Sequence, residues 1–133
     1  MILIYCIDER NGLLFNNRRQ SRDRVLIERI MNFANGKMFI NGFSKKLFDG
    51  YDVTVSNDFL SLAKDGDYCF VEDADADIIK AEKVILYNWN RHYPSDKKFN
   101  FDLIKAGFTL VSTDEFTGSS HDKITEQIYV KGV

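Results

Sequence analysis

The chain has 133 residues, a length that suits one domain (residues 1–133) with its own core rather than two. With 44% hydrophobic and 29% charged residues, one proline and eight glycines, the composition is globular and excludes a disordered or linker-rich chain. The net charge of −2 hides an uneven distribution: residues 1–48 carry nine Lys and Arg against four Asp and Glu, and residues 49–82 carry two against ten. An acidic total makes nucleic acid an unfavourable partner, while the basic first third can orient a small anion.

Met1 to Ile7 is apolar throughout, as in a strand covered on both faces. Asp8 to Gln20 reads as a polar loop with turn signals at Asn11-Gly12 and Asn16-Asn17. Ser21 is the predicted N-cap of the first helix, with Asp23 in its first turn. Leu26, Ile27, Ile30, Met31 and Ala34 recur at helical spacing, and Asn35-Gly36 ends the helix. A strand over Lys37–Asn41, a small helix over Ser44–Phe48 and a strand over Tyr51–Val55 follow. Asn57 opens a helical turn that runs to Lys64, and Asp67–Glu72 is the next strand. Ala74–Ala81 carries a weak helical signal, and Lys83–Trp89 is a strand centred on Val84, Ile85 and Leu86. Asn90–Lys98 reads as a loop and Phe101–Lys105 as one helical turn. Phe108–Thr113 and Ile124–Lys131 then form a closing pair of strands. Strands alternating with helices before a terminal hairpin predict a three-layer α/β fold. Its mixed, mostly parallel sheet has helices on both faces and a C-terminal antiparallel hairpin.

Cys6 and Cys69 each sit in an apolar run, where a thiol behaves as a small buried hydrophobe. Two cysteines make no disulfide framework. With no signal-peptide pattern and no apolar run of membrane-spanning length, the chain is expected to be cytoplasmic and to have no membrane association.

Most chemical motifs fail on inspection. Asp73, Asp75 and Asp77 alternate as in a calcium loop, but the positions needing Gly and Glu hold Ile78 and Val84. The only histidines, His92 and His121, are far apart in sequence, so no metal site is expected. Ser119-Ser120-His121-Asp122 contains the letters of a catalytic triad, yet adjacent residues do not normally face one another as a triad requires. No glycine-rich phosphate loop is present. Arg18, Arg19, Arg22 and Arg24 flank the start of the first helix, where backbone N–H groups also favour anions. The loop Trp89-Asn90-Arg91-His92-Tyr93-Pro94 is rich in recognition-type side chains.

Several strings resemble dihydrofolate reductases. Cys6-Ile7-Asp8 followed by Gly12 resembles the end of that family's first strand and its active-site loop. Gly36-Lys37-Met38-Phe39-Ile40-Asn41-Gly42 resembles its second strand and the glycine after it. Lys83 to Trp89, with Asp96-Lys97-Lys98-Phe99, resembles a late strand and the turn beyond it, and Gly118–Lys131 the closing hairpin. The resemblance covers most of the chain and implies a shortened dihydrofolate reductase-like fold. It makes Asp23 the counterpart of the carboxylate that holds the pterin, with Ile27 one turn further along the same face. It also exposes departures. The tryptophan-containing stretch before the helix reads Arg18-Arg19-Gln20, and the Arg-x-Thr that contacts cofactor phosphate reads Phe43-Ser44-Lys45. Tyr87 stands for the supporting threonine, and the paired-glycine turn is missing between Glu72 and Lys83. A fainter resemblance, to short bacterial proteins labelled ribonuclease Z, implies a metal-dependent nuclease whose histidine cluster this chain lacks.

The leading expectation is a reductase-like protein without reductase activity and without a cofactor. It would bind a small planar or anionic ligand beside the first helix. Leu3, Ile4, Ile27 and Tyr87 would line the site, Asp23 would act as acceptor, and Arg18, Arg19 and Arg22 would meet the anion. The alternative is an NADPH-dependent reductase with a compressed cofactor site at Asn41 and Gly42. Other readings are a protein-interaction module, with a homodimer formed through an exposed strand edge, and an RNA-processing protein.

Overall fold

The structure, a computed structural model, describes residues 1–132. The apolar opening segment forms β1 (Ile2–Ile7), buried on both faces. Its alternation sends Ile2 and Ile4 into one core and Leu3, Tyr5 and Ile7 into the other. The predicted loop that follows is instead a hairpin, β2 (Gly12–Phe15) and β3 (Arg18–Arg19). Asn16 and Asn17, both at positive φ (51° and 58°), make the two-residue turn whose twist suits a hairpin.

Helix α1 spans Arg24–Ala34. Its cap is Asp23, not Ser21: Asp23 is extended and its carboxylate accepts from the Leu26 N–H. The helix ends before Gly36, which takes the left-handed conformation (φ 77°). Five residues at helical spacing, Leu26, Ile27, Ile30, Met31 and Ala34, are buried against the sheet. At roughly 1.5–3 kcal/mol for each large apolar side chain, this face outweighs any intrinsic helix propensity.

Strand β4 (Met38–Ile40), a 3-10 helix (Gly42–Phe48), β5 (Val53–Val55), helix α2 (Phe59–Leu62) and β6 (Tyr68–Phe70) follow. The weak helical signal over 74–81 is realised only as a 3-10 turn, Ile78–Lys80, capped by Asp77. Strand β7 (Lys83–Asn88) is followed by β8 (Lys97–Lys98), a two-residue strand inside the predicted loop. Residues 101–107 make a turn, not a regular helix. Strands β9 (Phe108–Phe116) and β10 (Ile124–Lys131) close the chain, β9 three residues longer than the pattern indicates.

The main sheet has the order β5-β4-β6-β1-β7-β10-β9. Its strands are parallel from β5 to β7, and β10 and β9 are antiparallel additions. Helix α1 and Phe48 of the first 3-10 helix cover one face. Phe59 of α2, Ile78, and Leu13 and Leu14 of the hairpin cover the other. The predicted α/β class, with its mixed sheet and antiparallel C-terminal strands, is therefore the observed one. Strands β3, β2 and β8 form a separate three-stranded sheet at the C-terminal ends of the central strands. Among the described residues, no helix is long and apolar enough to cross a membrane.

Candidate functional site

Open parallel sheets bind ligands in the crevice outside the carboxyl ends of their strands. Here Cys6, Val71, Glu72 and Trp89, at the ends of β1, β6 and β7, meet Asp23, Leu26 and Ile27 of the α1 region and Arg19 to Arg22 of the hairpin. The enclosed space between them is about 20 Å³, room for a single water molecule. An open groove of about 520 Å³ adjoins it, between the start of α1, residues 46–51 and the Ser119-Ser120 turn. Arg22, Asp23, Ile27 and Leu47 line both spaces.

Asp8 frames the crevice. This buried carboxylate accepts from the Arg10, Gly12 and Tyr93 N–H groups and from Gln20 Nε2, so the end of β1, the hairpin and the 89–94 loop are tied together. Burial raises its pKa, but those hydrogen bonds outweigh burial and hold it below the ordinary value. Gly12 is required there, because a Cβ would lie 2.6 Å from Gln20 Nε2 and 2.8 Å from Ser95.

Asp23 forms the centre. Its side chain is fully buried, and that of His121 is 1% exposed. Oδ1 accepts from the N–H groups of Leu26 (3.2 Å) and Ser119 (3.0 Å). Oδ2 accepts from the Ser120 N–H (2.9 Å) and meets His121 Nδ1 at 2.9 Å. Burial opposes ionisation, yet the Ser120, His121, Ser119 and Leu26 hydrogen bonds prevail and hold the carboxyl well below the usual carboxylate range. A carboxylate held ionised cannot donate, so Nδ1 of His121 donates to Oδ2, and in the neutral imidazole Nε2 is then the acceptor. Ser21 Oγ lies 2.9 Å from that Nε2, and the Tyr93 hydroxyl 3.4 Å away. Trp89 stacks on the imidazole at 4.5 Å. Gly118 permits the approach of the 117–123 turn, since a Cβ on it would stand 2.2 Å from Asp23 Oδ2.

The triad letters at 119–122 thus do form part of a hydrogen-bonded series: Ser120 Oγ lies 3.1 Å from His121 Nδ1, and the other partners of the series, Ser21 and Asp23, stand about a hundred positions away. Asp122 is exposed and takes no part. Ser119 Oγ accepts from the Arg24 N–H, and Ser120 Oγ donates to the Arg22 carbonyl. The 89–94 loop, singled out from its composition, supplies Trp89 and Tyr93 around His121, while His92 is exposed.

The remaining sequence-predicted residues divide. Ile27 lines both spaces, and Ile4 is buried beneath α1. Leu3 packs on the opposite side of the sheet. Tyr87 is buried on the α1 face, but its hydroxyl donates to Glu126 (2.8 Å), which Arg29 holds through Nε at 2.9 Å. Burial and the Glu126 carboxylate push the Tyr87 phenol well above its ordinary value. Tyr87 therefore lends nothing to Asp23. Arg18 is exposed, and Arg22 lines the groove and the enclosed space. Arg19 is bound bidentately by buried Glu72 (2.6 and 2.7 Å) and donates to the Phe43 carbonyl. Cys6 lines the enclosed space, but burial raises its thiol well above the ordinary value and keeps it protonated.

The edge where a dinucleotide cofactor would place its phosphates offers few donors. Ser44 Oγ donates to Glu72, Asn41 Nδ2 to Asp73, and Arg19 is neutralised. Gly42 has open space around it. No residue from 67 to 89 has positive φ, so no concave nest of N–H groups forms there. Asp73 adds a negative charge along the same edge, where Glu72 and Asp75 are paired with Arg19 and Lys97. These residues do not fit a pyrophosphate. Among the described residues no group of His, Cys, Asp and Glu could hold a metal ion.

No family model matches the chain, and no curated protein sequence matches it. The solved structures do. Dihydrofolate reductase from Enterococcus faecalis, in complex with NADP(H) and RAB-propyl, superposes with a TM-score of 0.68. The match covers 99% of this chain and 96% of that one, at 9% sequence identity. The fold is therefore dihydrofolate reductase-like.

Proposed function

We propose that this chain uses the reductase-like fold to bind a small planar anion in the open groove beside α1, and does not transfer hydride from NADPH. The observation that carries the reading is the groove itself. Arg22 and Lys46 line it without an ion-pair partner among the described residues. The Asp23 carboxylate is satisfied by its own donors, and Glu28 is paired with Arg24 at 3.1 Å. Asp49 is the one opposing carboxylate left, and Leu47 and Tyr51 supply surface for a flat ring. Small-molecule sites run to roughly 300–1,000 Å³. A groove of about 520 Å³ meets that requirement, and the enclosed space of about 20 Å³ does not.

Thermal-shift titration tests it, because a ligand that binds only the folded chain raises the midpoint. Phenyl phosphate and benzoate should give a saturable rise that Arg22→Ala and Lys46→Ala each weaken. With NADPH and dihydrofolate together, absorbance of the reduced cofactor should stay constant. No shift with either anion refutes the binding site, and consumption of NADPH reinstates a reductase.

A second reading, homodimerisation, is favoured by β9. This nine-residue strand stands at the edge of the main sheet and carries exposed Leu110 and Val111. Sedimentation at increasing concentration tests it, and a concentration-independent monomer refutes it.

A further inference from the structure

We propose that Ser21 is a nucleophile and that this chain hydrolyses small carboxylic esters bearing a negative charge, the preference for charge resting on the anion-binding reading above. Nucleophilic serine chemistry needs a hydroxyl within hydrogen-bond reach of a base, and a third group that orients the base. Here Ser21 Oγ is 2.9 Å from His121 Nε2, and His121 Nδ1 is 2.9 Å from Asp23 Oδ2. The contact of Nδ1 with the Asp23 carboxylate selects, in the neutral imidazole, the tautomer with its acceptor at Nε2, and Trp89 stacked on the ring holds its plane.

A structural latch would need Asp23 and His121 but not Ser21. Three backbone N–H groups already fix the carboxylate, and Ser21 adds a half-exposed hydroxyl at the other end of the imidazole. That hydroxyl opens onto a basin lined by Arg19, Arg22 and Ser120, and the last two also line the groove. A substrate held by Arg22 and Lys46 can thus bring its carbonyl to Ser21. The neighbouring serines are unsuited: Ser120 Oγ faces Nδ1, the protonated nitrogen, and Ser119 Oγ is occupied by the Arg24 N–H. The backbone N–H groups of Ser21 and Arg22 make no hydrogen bond among the described residues, so donors for an oxyanion adjoin the nucleophile.

In the first step Ser21 Oγ bonds to the ester carbonyl carbon while Nε2 of His121 takes the hydroxyl proton. The carbon–oxygen bond to the leaving group breaks, and the leaving oxygen takes that proton. Water then attacks the acyl-serine, giving its proton to Nε2. The acid departs as the Oγ–carbonyl bond breaks, and Oγ is reprotonated. Asp23 is the positioning residue throughout.

An uncharged fluorophosphonate probe, followed by intact mass and peptide mapping on the folded full chain, tests the nucleophile without involving the cationic groove. One adduct is expected, on Ser21. Ser21→Ala should abolish it at an unchanged thermal midpoint, and His121→Gln should slow labelling by about a hundredfold or more. Asp23→Asn, assayed well below its own midpoint, should slow it similarly, because an amide facing Nδ1 favours the wrong tautomer. No adduct on the folded wild type, or an adduct that survives Ser21→Ala, overturns the proposal even if phenyl phosphate binds. Hydrolysis of the mono-4-nitrophenyl ester of succinic acid should exceed that of 4-nitrophenyl acetate. Labelling without that preference leaves the nucleophile standing and overturns the anionic substrate.

Discussion

Replacing Asp23 with asparagine keeps the shape of the side chain and removes its charge, and the arrangement around it sets the cost. Both oxygens face donors: Leu26 and Ser119 N–H on Oδ1, Ser120 N–H and His121 Nδ1 on Oδ2. Asparagine has one acceptor oxygen, so in either orientation its NH₂ group abuts two donors. Two charge-assisted hydrogen bonds are lost, at roughly 1.5–3 kcal/mol each, for a total of about 3–6 kcal/mol. For a domain of this size each kcal/mol moves the midpoint by ~3–5 °C, so Asp23→Asn should melt about 10–30 °C below wild type at neutral pH. The folded-state pKa of Asp23 lies below its unfolded value, so the unfolded chain binds the proton first as pH falls. The stabilisation is complete above about pH 5 and disappears as pH drops through the unfolded and then the folded pKa. The two proteins should therefore converge in acid. Thermal melts followed by far-ultraviolet circular dichroism, from pH 7 down to strongly acidic buffer, provide the test. A difference below about 1 kcal/mol at pH 7, or one that does not shrink in acid, would refute the claim that the charge holds this turn to the helix.

Other substitutions probe the same framework. Gly118→Ala places a Cβ 2.2 Å from Asp23 Oδ2 and must displace the carboxylate or the turn. Its midpoint should fall about as far as that of Asp23→Asn, with little further loss in the double variant, since both break the same contacts. Arg19→Ala leaves the Glu72 carboxylate buried with Ser44 as its remaining partner, and should cost about 2–4 kcal/mol in urea denaturation. Adding Glu72→Gln should recover most of that loss; failure to recover would mean that packing, not charge, is what Arg19 supplies. Tyr87→Phe removes a hydrogen bond to a charged acceptor and should cost about 1.5–2 kcal/mol, near the low end because Arg29 still holds Glu126. An unchanged urea midpoint would contradict the geometry of that buried network.

The elements legible in the sequence are those whose burial pattern is local. Met1 to Ile7 and Lys83 to Trp89 are apolar on both faces because each strand has a core on either side, and the five-residue stripe of α1 marks the face it buries. The turn residues Asn35-Gly36 marked the end of that helix for an equally local reason. The hairpin β2–β3 was half legible. Asn16-Asn17 is a turn signal, but β3 has two residues, and its other support comes through β2 from β8, some eighty positions further on.

The candidate site belongs to the tertiary structure. Ser21 reads as a helix cap by itself, because its hydroxyl stands where a cap should be, and only the packed 117–123 turn shows that Asp23 takes that task while Ser21 faces a histidine. Leu3 and Ile4 are adjacent in sequence yet enter different cores, a consequence of the two-residue period of a strand. The strands of the main sheet and the long helix, and hence the class of fold, are legible in the chain because burial periodicity is written in neighbouring residues, whereas β2, β3 and β8 fall in segments that read as loops. Which distant side chains hydrogen-bond is set by packing, because the contacts of Ser21 and Asp23 with His121 span 100 and 98 positions and depend on how the closing hairpin meets the start of α1.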